Sequence, residues 1–422
     1  MSERKMIYLC LAHMSENGME QKYVQEAFDT NWVVPMGPNV NGFEKDLAEF
    51  VNSKQLDRKV VCLSAGTAAV HLALIACGVK AGDEVLVQSF TFCASSHPIT
   101  YLGAKPVFVD SERETWNMDP ELLEKAIIER KEVTGRYPKA IIPVALYGMP
   151  YDCERIMAIA DKYGIPVIED AAEGMGSRFN GQVLGTFGRF GVLSFNGNKM
   201  ITTSGGGALI CRSAEDANEV MWYATQARDA YPYYEHTAIG YNYRMSNVCA
   251  GIGRGQMTVL DDHIAHHKHV QQLYRELLAD VPEVTLHDQP ADGRYDSNFW
   301  LCAATLDPSV RIVGQENAYK TVITSAVGGA AGVIKAVDSA VTDCQPNENV
   351  EALRVFMLEK KVECRPVWKP MHKQPVYADA VAYVNGVSEE IFKVGFCLPA
   401  GPYVTDEDVR YIVDCIKEAI VK

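Results

Sequence analysis

Seven short runs rich in valine and isoleucine lie in the first half of the chain, and they constrain the fold more than any other feature. None alternates strictly between apolar and polar residues, as expected for strands buried on both faces. The runs are Lys59–Leu63, Glu84–Val87, Pro106–Val109, Ala140–Leu146, Ile165–Ile168, Gly191–Phe195 and Gly207–Cys211. Helical patterns separate several of them, and this alternation predicts an α/β fold with a mostly parallel, seven-stranded sheet covered by helices.

The helical patterns between these runs carry recognisable start and stop signals. The segment 67–79 is apolar and rich in alanine, which favours a buried helix. Asp119 is a good N-cap residue, and Pro120 follows it at the first helical position. A third helix is predicted over 152–163, because Gly164 stands where a C-cap is expected.

The character of the chain changes after residue 262. A long polar helix is predicted over 262–278 and another near 349–360, with strands at 283–286, 299–306 and 362–367. Thr405-Asp-Glu-Asp408 resembles a capping box at the start of a final helix. We therefore predict a large domain over residues 1–262 and a smaller α+β domain over residues 263–422.

Two residues at strand ends suggest a particular cofactor chemistry. Asp170 closes the run that ends in Val167-Ile168-Glu169-Asp170, and Lys199 follows the next run. Pyridoxal phosphate (PLP) needs an amine that bonds its aldehyde and a carboxylate that keeps its pyridine nitrogen protonated. Taken alone, each residue is more simply a surface lysine or an ordinary strand-end aspartate. The surrounding motifs favour the cofactor.

Two further motifs stand where ligands bind in parallel α/β sheets, beyond the carboxyl ends of the strands. Ser64-Ala-Gly-Thr-Ala68 opens a helix whose first amides could receive a phosphate, although such small-residue turns are often purely structural. It lacks the spacing of a Walker A loop, and Gly205-Gly-Gly207 precedes a strand rather than following one, unlike a dinucleotide fingerprint. Phe92 could stack on a planar ring or simply pack in the core.

Charge and cysteine content argue against several function classes. Lys and Arg number 40 against 54 Asp and Glu, so the net charge is −14, which opposes binding to nucleic acid or to an anionic membrane. The twelve cysteines are scattered without a C-x-x-C pair, and the N-terminus has no signal-like apolar core. We predict a cytoplasmic protein without a metal site.

Two clusters have competing interpretations. His263, His266 and His267 have the helical spacing of metal ligands, but the helix is polar all round, so we interpret them as a solvated surface face. The tract Arg365-Pro-Val-Trp-Lys-Pro-Met-His372 could bind a nucleotide diphosphate or form an irregular domain edge, and the residues alone leave both open.

A series of motifs in one order carries a family resemblance over almost the whole chain. The motifs are Asn31-Trp-Val-Val-Pro-Met-Gly-Pro38, Phe43-Glu44, Ser64-Ala-Gly-Thr67, Ser89-Phe-Thr-Phe92, Glu169-Asp-Ala-Ala172, Ser194–Lys199, Gly240-Tyr-Asn-Tyr-Arg-Met-Ser246, and the tract near Trp368 and His372. With these motifs the chain resembles the sugar aminotransferases of the DegT/DnrJ/EryC1/StrS family. The resemblance implies the type I PLP-dependent transferase fold and PLP as cofactor.

The resemblance also implies roles for individual residues. Lys199 would bond the cofactor and later carry the proton, and Asp170 would pair with the pyridine nitrogen. The remaining expected cofactor contacts are Gly66, Thr67, Phe92, Glu173, Ser194 and Asn242, and the expected substrate contacts are Trp32, Arg244, Lys369 and His372. Because the family's asparagine at the Asn242 position reaches the cofactor of the neighbouring subunit, the resemblance implies a homodimer with shared sites.

Three features depart from the common family pattern. Glu173 stands where many relatives carry glutamine, and a carboxylate there would repel the cofactor's phenolate unless it were protonated or turned away. Ser204-Gly-Gly-Gly207 replaces the frequent Gly-Glu-Gly-Gly and, with Asn196-Gly-Asn-Lys199, is similar to the bacillosamine-type branch that acts on UDP-linked sugars. Residues 311–347 do not align with the motifs above, and we interpret them as an insertion.

The resemblance therefore predicts transamination of a UDP-linked 4-keto-6-deoxy-N-acetylhexosamine at C4, with L-glutamate as amino donor. The alternatives are amination at C3, or PLP-dependent dehydration of another nucleotide-linked ketosugar. Relatives that dehydrate carry histidine in place of the lysine, so Lys199 argues against dehydration. A non-catalytic protein with this fold is the remaining alternative, and the presence of both Asp170 and Lys199 argues against it.

Overall fold

The computed structural model describes residues 4–320 and 341–421. Each of the seven predicted runs overlaps a strand. The strands are Lys59–Leu63 (β1), Glu84–Gln88 (β2), Lys105–Val109 (β3), Ile141–Ile142 (β4), Ile168–Asp170 (β5), Arg178–Phe179 (β6), Gln182–Val183 (β7), Phe190–Ser194 (β8), Gly207–Cys211 (β9), Val284–Leu286 (β10), Tyr295–Asp296 (β11), Cys302–Leu306 (β12), Arg365–Pro366 (β13), Ala382–Tyr383 (β14) and Gly395–Leu398 (β15).

Helices alternate with the strands of the first half and flank those of the second. The α-helices are Met19–Asp29 (α1), Pro38–Val51 (α2), Gly66–Ala76 (α3), His97–Tyr101 (α4), Pro120–Thr134 (α5), Cys153–Tyr163 (α6), Ala214–Ala224 (α7), Asn247–Met257 (α8), Leu260–Leu277 (α9), Glu348–Glu359 (α10), Val387–Val394 (α11) and Asp406–Ala419 (α12). Helices α3, α5 and α7 pack against strands of the main sheet.

The main sheet has the order β3-β2-β4-β5-β8-β9-β1. It is built from two four-stranded sheets that join through parallel bridges from Ile141 to Val167 and from Val144 to Asp170. Only β9 among these seven strands runs antiparallel to its neighbours, and the short strand β14 pairs with the β3 edge. The predicted mostly parallel, seven-stranded sheet is therefore confirmed.

The predicted helix boundaries follow the capping chemistry. The Asp119 carboxylate accepts hydrogen bonds from the first amides of α5, and Pro120 is its first residue. Gly164 ends α6 with a φ of 66°, a left-handed conformation that favours glycine. Thr405 and Asp408 form the capping box of α12.

A second apolar core lies around an antiparallel sheet of order β10-β12-β15-β13, against which α9, α10 and α12 pack. Strand β13 is shorter than the predicted strand over 362–367. Ile7, from the beginning of the chain, packs in this second core and pairs with Val362. The division into domains at residue 262 stays a prediction.

The part of the chain that the structure describes contains the ends of the 311–347 segment. A short 3₁₀ turn spans Gln315–Asn317. Residues 321–340, which make up most of the predicted insertion, lie outside the described residues.

All twelve cysteines are free thiols. Over residues 4–320 and 341–421, no helix is long and apolar enough to cross a bilayer.

The prediction that the histidines of α9 form a solvated face is wrong. His263 and His267 are buried, and their Nδ1 atoms lie 3.1 and 3.2 Å from the carbonyl oxygens of Met200 and Phe299. His266 Nε2 lies 3.2 Å from the Gly401 carbonyl oxygen. Histidine counts as polar in a periodicity argument, but a neutral imidazole that donates to a backbone carbonyl can be buried. This helix therefore links the Lys199 loop to the second core.

These buried histidines predict a loss of stability in acid. Burial lowers the pKa of His267 to about 3, and it also lowers the pKa values of His263 and His266. Between pH 6.5 and 3 the unfolded chain thus binds protons that the folded chain does not, so the free energy of unfolding falls as the pH drops. For His267 this amounts to a slope of up to about 1.4 kcal/mol per pH unit between the two pKa values.

The amide of His267→Asn can still donate to the Phe299 carbonyl oxygen, but it does not titrate. We therefore expect the free energy of unfolding, measured by urea titration, to change less steeply with pH between 4 and 6, by the equivalent of about one proton. The exposed His236 gives the matched control, His236→Asn, which should leave the slope as it is. An unchanged slope in His267→Asn would contradict the assignment.

Candidate active site

A cavity of about 300 Å³ lies at the carboxyl edge of the main sheet. It is lined by the ends of β5 and β8, by the two glycines that precede the antiparallel strand β9, and by the first turn of α3. Seven of the residues that the sequence singled out line this one cavity, and they are Gly66, Thr67, Phe92, Asp170, Glu173, Ser194 and Lys199.

The amine of Lys199 lies between a carboxylate and an indole. Its Nζ is 3.4 Å from Glu173 Oε1 and 4.1 Å from the centre of the Trp300 ring, and the side chain is 13% exposed. Trp300 is fixed because its Nε1 donates to the Asn198 carbonyl oxygen at 2.6 Å. The amine is thus held at the cavity wall on a side chain with little freedom to reach bulk water.

Asp170 ends β5 and is buried in the same cavity. Ser95 Oγ donates to its Oδ2 at 2.6 Å, and the Ala172 amide donates to its Oδ1 at 3.1 Å. Burial raises the pKa of Asp170, while these hydrogen bonds and the nearby Lys199 charge oppose the rise. Thr91 Oγ1 lies 2.8 Å from Ser95 Oγ and extends the network.

Glu173 is 5% exposed and has two fixed partners. Its Oε2 accepts from the Tyr147 amide at 2.7 Å, and its Oε1 faces Lys199. Burial raises the pKa of Glu173, and the Lys199 charge opposes that rise. Tyr147 has a φ of 54°, which is uncommon for a residue with a side chain and typical of strained functional sites.

The first turn of α3 forms an open cradle of backbone amides. The helix begins at Gly66, and its N-cap residue Ala65 offers no side chain to the free amides. A Cβ at Gly66 would lie 3.2 Å from Ser194 Cβ, and a Cβ at Gly207 would lie 2.4 Å from the Gly66 nitrogen. Glycine at both positions therefore keeps the positive helix end accessible to an anion.

Two aromatic side chains shape the remaining wall. Phe92 is 50% exposed, and its ring centre lies 5.3 Å from that of Trp368. The Trp368 amide donates to Tyr147 Oη at 2.7 Å, which ties this wall to the Glu173 side of the cavity. A planar ligand that enters between Phe92 and the sheet would gain an aromatic contact.

Five of the residues singled out by the sequence do not line this cavity. Asn242 is exposed and pairs with Thr225, and Trp32 is exposed near Asn247. Arg244 pairs through its backbone with Leu63, and its guanidinium contacts the Met221 sulfur. Lys369 is half-buried beside Gln374. The expected ligand contacts of these residues stay predictions.

His372, the fifth of these residues, has both ring nitrogens engaged. Its Nδ1 lies 2.6 Å from Ser89 Oγ, and its Nε2 lies 3.2 Å from Glu389 Oε1. The Met371 amide donates to the Ser89 carbonyl oxygen at 2.8 Å. These contacts join the tract that carries Trp368 to the loop that carries Phe92. His372 therefore lies behind the cavity wall and supports it.

Sequence reasoning missed Ser95, Tyr147 and Trp300. Ser95 ends a 3₁₀ turn directly after the Ser89-Phe-Thr-Phe92 motif, and this adjacency is the one signal that could have found it. Trp300 lines the cavity and Tyr147 bonds Glu173, both through contacts distant in sequence, so no local pattern marks them. In the described residues no group of three or more acidic, histidine or cysteine side chains is placed to hold a metal ion.

The residues present fit PLP. The uncapped helix end with Gly207 behind it suits a phosphate, the buried Asp170 suits a protonated pyridine nitrogen, and the Lys199 amine suits an aldehyde. These three groups line one cavity together with the exposed face of Phe92. The arrangement can therefore hold the cofactor through its phosphate, its ring nitrogen and its aldehyde at once.

Comparison with known proteins agrees with this geometry. The model of the DegT/DnrJ/EryC1/StrS aminotransferase family matches residues 14–320 and 315–417. EpsN of Bacillus subtilis strain 168, named as a pyridoxal phosphate-dependent aminotransferase, is 40% identical over 416 residues, which cover 98% of this chain and 95% of EpsN. GDP-perosamine synthase of Escherichia coli O157:H7 is 33% identical over 98% of this chain and 99% of its own length.

A solved structure shows the same fold. The crystal structure of a DegT DnrJ EryC1 StrS aminotransferase from Brucella abortus superposes with a TM-score of 0.80 and 26% identity, covering 95% of each chain. The predicted type I PLP-dependent transferase fold is thereby confirmed.

Proposed function

The chain belongs to the DegT/DnrJ/EryC1/StrS aminotransferase family, and from that premise we propose that it transfers an amino group from L-glutamate to C4 of a UDP-linked 4-keto-6-deoxy-N-acetylhexosamine. The products would be a UDP-linked 4-amino-4,6-dideoxy sugar and 2-oxoglutarate. The coarser prediction, a PLP-dependent sugar aminotransferase, is confirmed by the family match and the relatives. The donor, the nucleotide and the position of amination belong to the proposal.

One observation carries the proposed chemistry: the Lys199 amine, the buried Asp170 carboxylate and the open amides of α3 share a single cavity. PLP supplies an aldehyde that accepts the amino group and a pyridine ring that withdraws electrons from the reacting carbon. The α3 amides and Ser194 would bind the phosphate. Phe92 would cover one face of the ring.

Asp170 and Lys199 would handle the protons. Asp170 would hold the pyridine nitrogen protonated. Hydrogen bonds from Ser95 and from the Ala172 amide fix the orientation of the Asp170 carboxylate. Lys199 Nζ would remove the proton from Cα of the donor and later deliver a proton to C4 of the sugar. The indole of Trp300 and the carboxylate of Glu173 limit where the amine can move between these two positions.

The phosphate cradle gives a direct test of the cofactor assignment. We expect Gly207→Ala to weaken PLP binding by about tenfold or more, because its Cβ would lie 2.4 Å from the Gly66 nitrogen and force the cradle apart. Fluorescence titration of the cofactor-free protein with PLP measures the loss. Gly197→Ala is the matched control, since Gly197 is not among the residues that line the cavity and a Cβ there has no neighbour within 4 Å in the described residues. Equal affinity in both variants would remove the cradle from the phosphate site.

We also propose a homodimer with shared sites. Two segments expose large apolar side chains that a partner could cover: Phe28, Val33 and Met36 in one, and Tyr231, Tyr233, Tyr234 and Ile239 in the other. Asn242, exposed beside the second segment, would reach the cofactor of the partner. Light scattering that reports a monomer at micromolar concentration would end this proposal.

The nucleotide of the sugar substrate has a second candidate. The 33% identity to a GDP-perosamine synthase supports a GDP-linked ketosugar as second candidate, while Ser204-Gly-Gly-Gly207 and Asn196-Gly-Asn-Lys199 support the UDP-linked one. UDP- and GDP-linked 4-ketosugars and a 3-ketosugar would each be incubated with PLP and L-glutamate. Mass spectrometry of the products should show gain of an amine only from the UDP-linked 4-ketosugar. Loss of a hydroxyl would indicate dehydration instead.

Soluble nucleotide sugars and L-glutamate are cytoplasmic metabolites, so we propose that the protein works in the cytoplasm. Its free, mostly buried thiols suit a reducing compartment. The product would then serve the biosynthesis of a cell-surface glycan.

A further inference from the structure

Glu173 is a buried carboxylate with a single cationic neighbour. In the part of the chain that the structure describes, the one ion pair of Lys199 is with Glu173, at 3.4 Å. Asp170, the other carboxylate of the cavity, is bound instead to Ser95 and the Ala172 amide. The two carboxylates thus face different partners within the same cavity.

The Glu173 carboxylate is held by two partners, and the backbone of Glu173 is tied to that of Trp300 through Asn298. The Tyr147 amide fixes Oε2 at 2.7 Å and leaves Oε1 to Lys199. Asn298 Nδ2 donates to the Glu173 carbonyl oxygen, and Asn298 Oδ1 accepts from the Trp300 amide, both at 2.9 Å. One amide side chain therefore sets the spacing of the two groups that flank the lysine amine.

The chemistry of Lys199 requires such a group. An ammonium has no free electron pair, so Lys199 must lose a proton before its nitrogen can bond an aldehyde carbon. The side chain is 13% exposed, which leaves bulk water poorly placed to take that proton. A buried ion pair that exchanges a proton becomes two neutral groups, so the transfer leaves no uncompensated charge on Lys199 or Glu173.

We propose that Glu173 is a catalytic residue that takes the ammonium proton of Lys199 before the lysine bonds the cofactor. The N–H bond of the ammonium breaks, its electron pair stays on Nζ, and an O–H bond forms on Oε1. This inference rests on the proposed function, because it takes Lys199 as the residue that bonds PLP.

Two further features agree with this assignment. Burial raises the pKa of Glu173, so its carboxylate binds a proton more readily than an exposed glutamate does. A protonated Glu173 also carries no charge to repel a phenolate, which removes the conflict that a glutamate at this position otherwise creates. The glutamine common in relatives could accept the hydrogen bond from the Tyr147 amide through its single carbonyl oxygen, but it could not take the proton.

The test follows covalent attachment of PLP rather than turnover. Cofactor-free wild-type protein, Glu173→Gln and Glu173→Ala are mixed with PLP in a stopped-flow instrument, and the visible absorbance of the lysine-bound cofactor is recorded against pH. We expect both variants to attach PLP about 100-fold more slowly than wild type, which is the low end of what a positioned proton acceptor contributes. In both, the rate should rise with pH as solution base replaces the carboxylate.

Added formate separates proton transfer from mere positioning. It should accelerate Glu173→Ala, where the truncated side chain leaves room for a small carboxylate, and leave the space-filling Glu173→Gln unaffected. Attachment at the wild-type rate in Glu173→Gln, or no response of Glu173→Ala to formate, would overturn the inference. If wild type itself fails to bond PLP, the proposed function fails instead. Circular dichroism confirms that each variant is folded.

Discussion

Replacing Lys199 with alanine should lower amino transfer by about 10³-fold or more while PLP still binds. No other lysine lines the cavity among the described residues, so nothing nearby can substitute for its Nζ. The α3 amides, Asp170 and Phe92 are unaffected by the change and should retain the cofactor. Product formation with L-glutamate measures the first effect, and the PLP content after gel filtration measures the second.

Lys162 provides the matched control for this variant. It is an exposed lysine that also pairs with a glutamate, Glu124, at 2.7 Å, but it lies on α6 outside the cavity. Lys162→Ala should keep wild-type turnover. Near-normal turnover in Lys199→Ala would mean that another group bonds the cofactor and would end the mechanism.

Asp170→Asn should reduce turnover by about 10²–10³-fold, the cost typical of removing one preorganised charge from an active site. The single amide oxygen can keep the hydrogen bond from the Ala172 amide, and the Ser95 hydroxyl can turn to accept from the new NH2 group, but the amide carries no charge to hold the pyridine nitrogen protonated. Since the carboxylate is buried, its replacement by a neutral amide should leave the melting temperature unchanged or raise it. A loss of activity without a loss of stability would therefore separate the electrostatic role from packing.

Ser95→Ala tests how much the positioning of Asp170 contributes. The Ala172 amide remains bonded to Oδ1 in that variant, so we expect a loss of about tenfold, smaller than for Asp170→Asn. Equal losses in the two variants would indicate that Ser95 acts on the reaction directly. Unchanged turnover in Asp170→Asn would contradict the pairing of this residue with the ring nitrogen.

The main sheet was predictable because its strands leave a simple signature. Buried parallel strands read as short apolar runs, and helices with clear caps such as Asp119 and Gly164 separate them. Strand β4, at two residues, and strand β13 are shorter than their runs, because hydrogen-bond pairing depends on neighbours that the run itself does not specify. The reversed direction of β9 has no signature in its own residues.

Part of the cavity was predictable because its residues stand at strand ends or helix starts. Asp170, Ser194 and Gly66 satisfy that rule, because the carboxyl ends of parallel strands and the helix starts that follow them meet at one edge of a sheet. Trp300 and Tyr147 meet Lys199 and Glu173 through the packing of segments far apart in the chain. The histidines of α9 misled the sequence argument because their burial depends on backbone carbonyls supplied by other segments.

Borohydride reduction of the PLP-loaded protein tests the central claim most directly. The hydride converts the bond between lysine and cofactor into a stable amine, and peptide mass spectrometry then locates the added phosphopyridoxyl mass. We predict a single modified peptide, with the mass on Lys199, and its disappearance when excess L-glutamate is added before reduction. Modification of a different lysine, or no modification of a protein that has bound PLP, would contradict the assignment of Lys199.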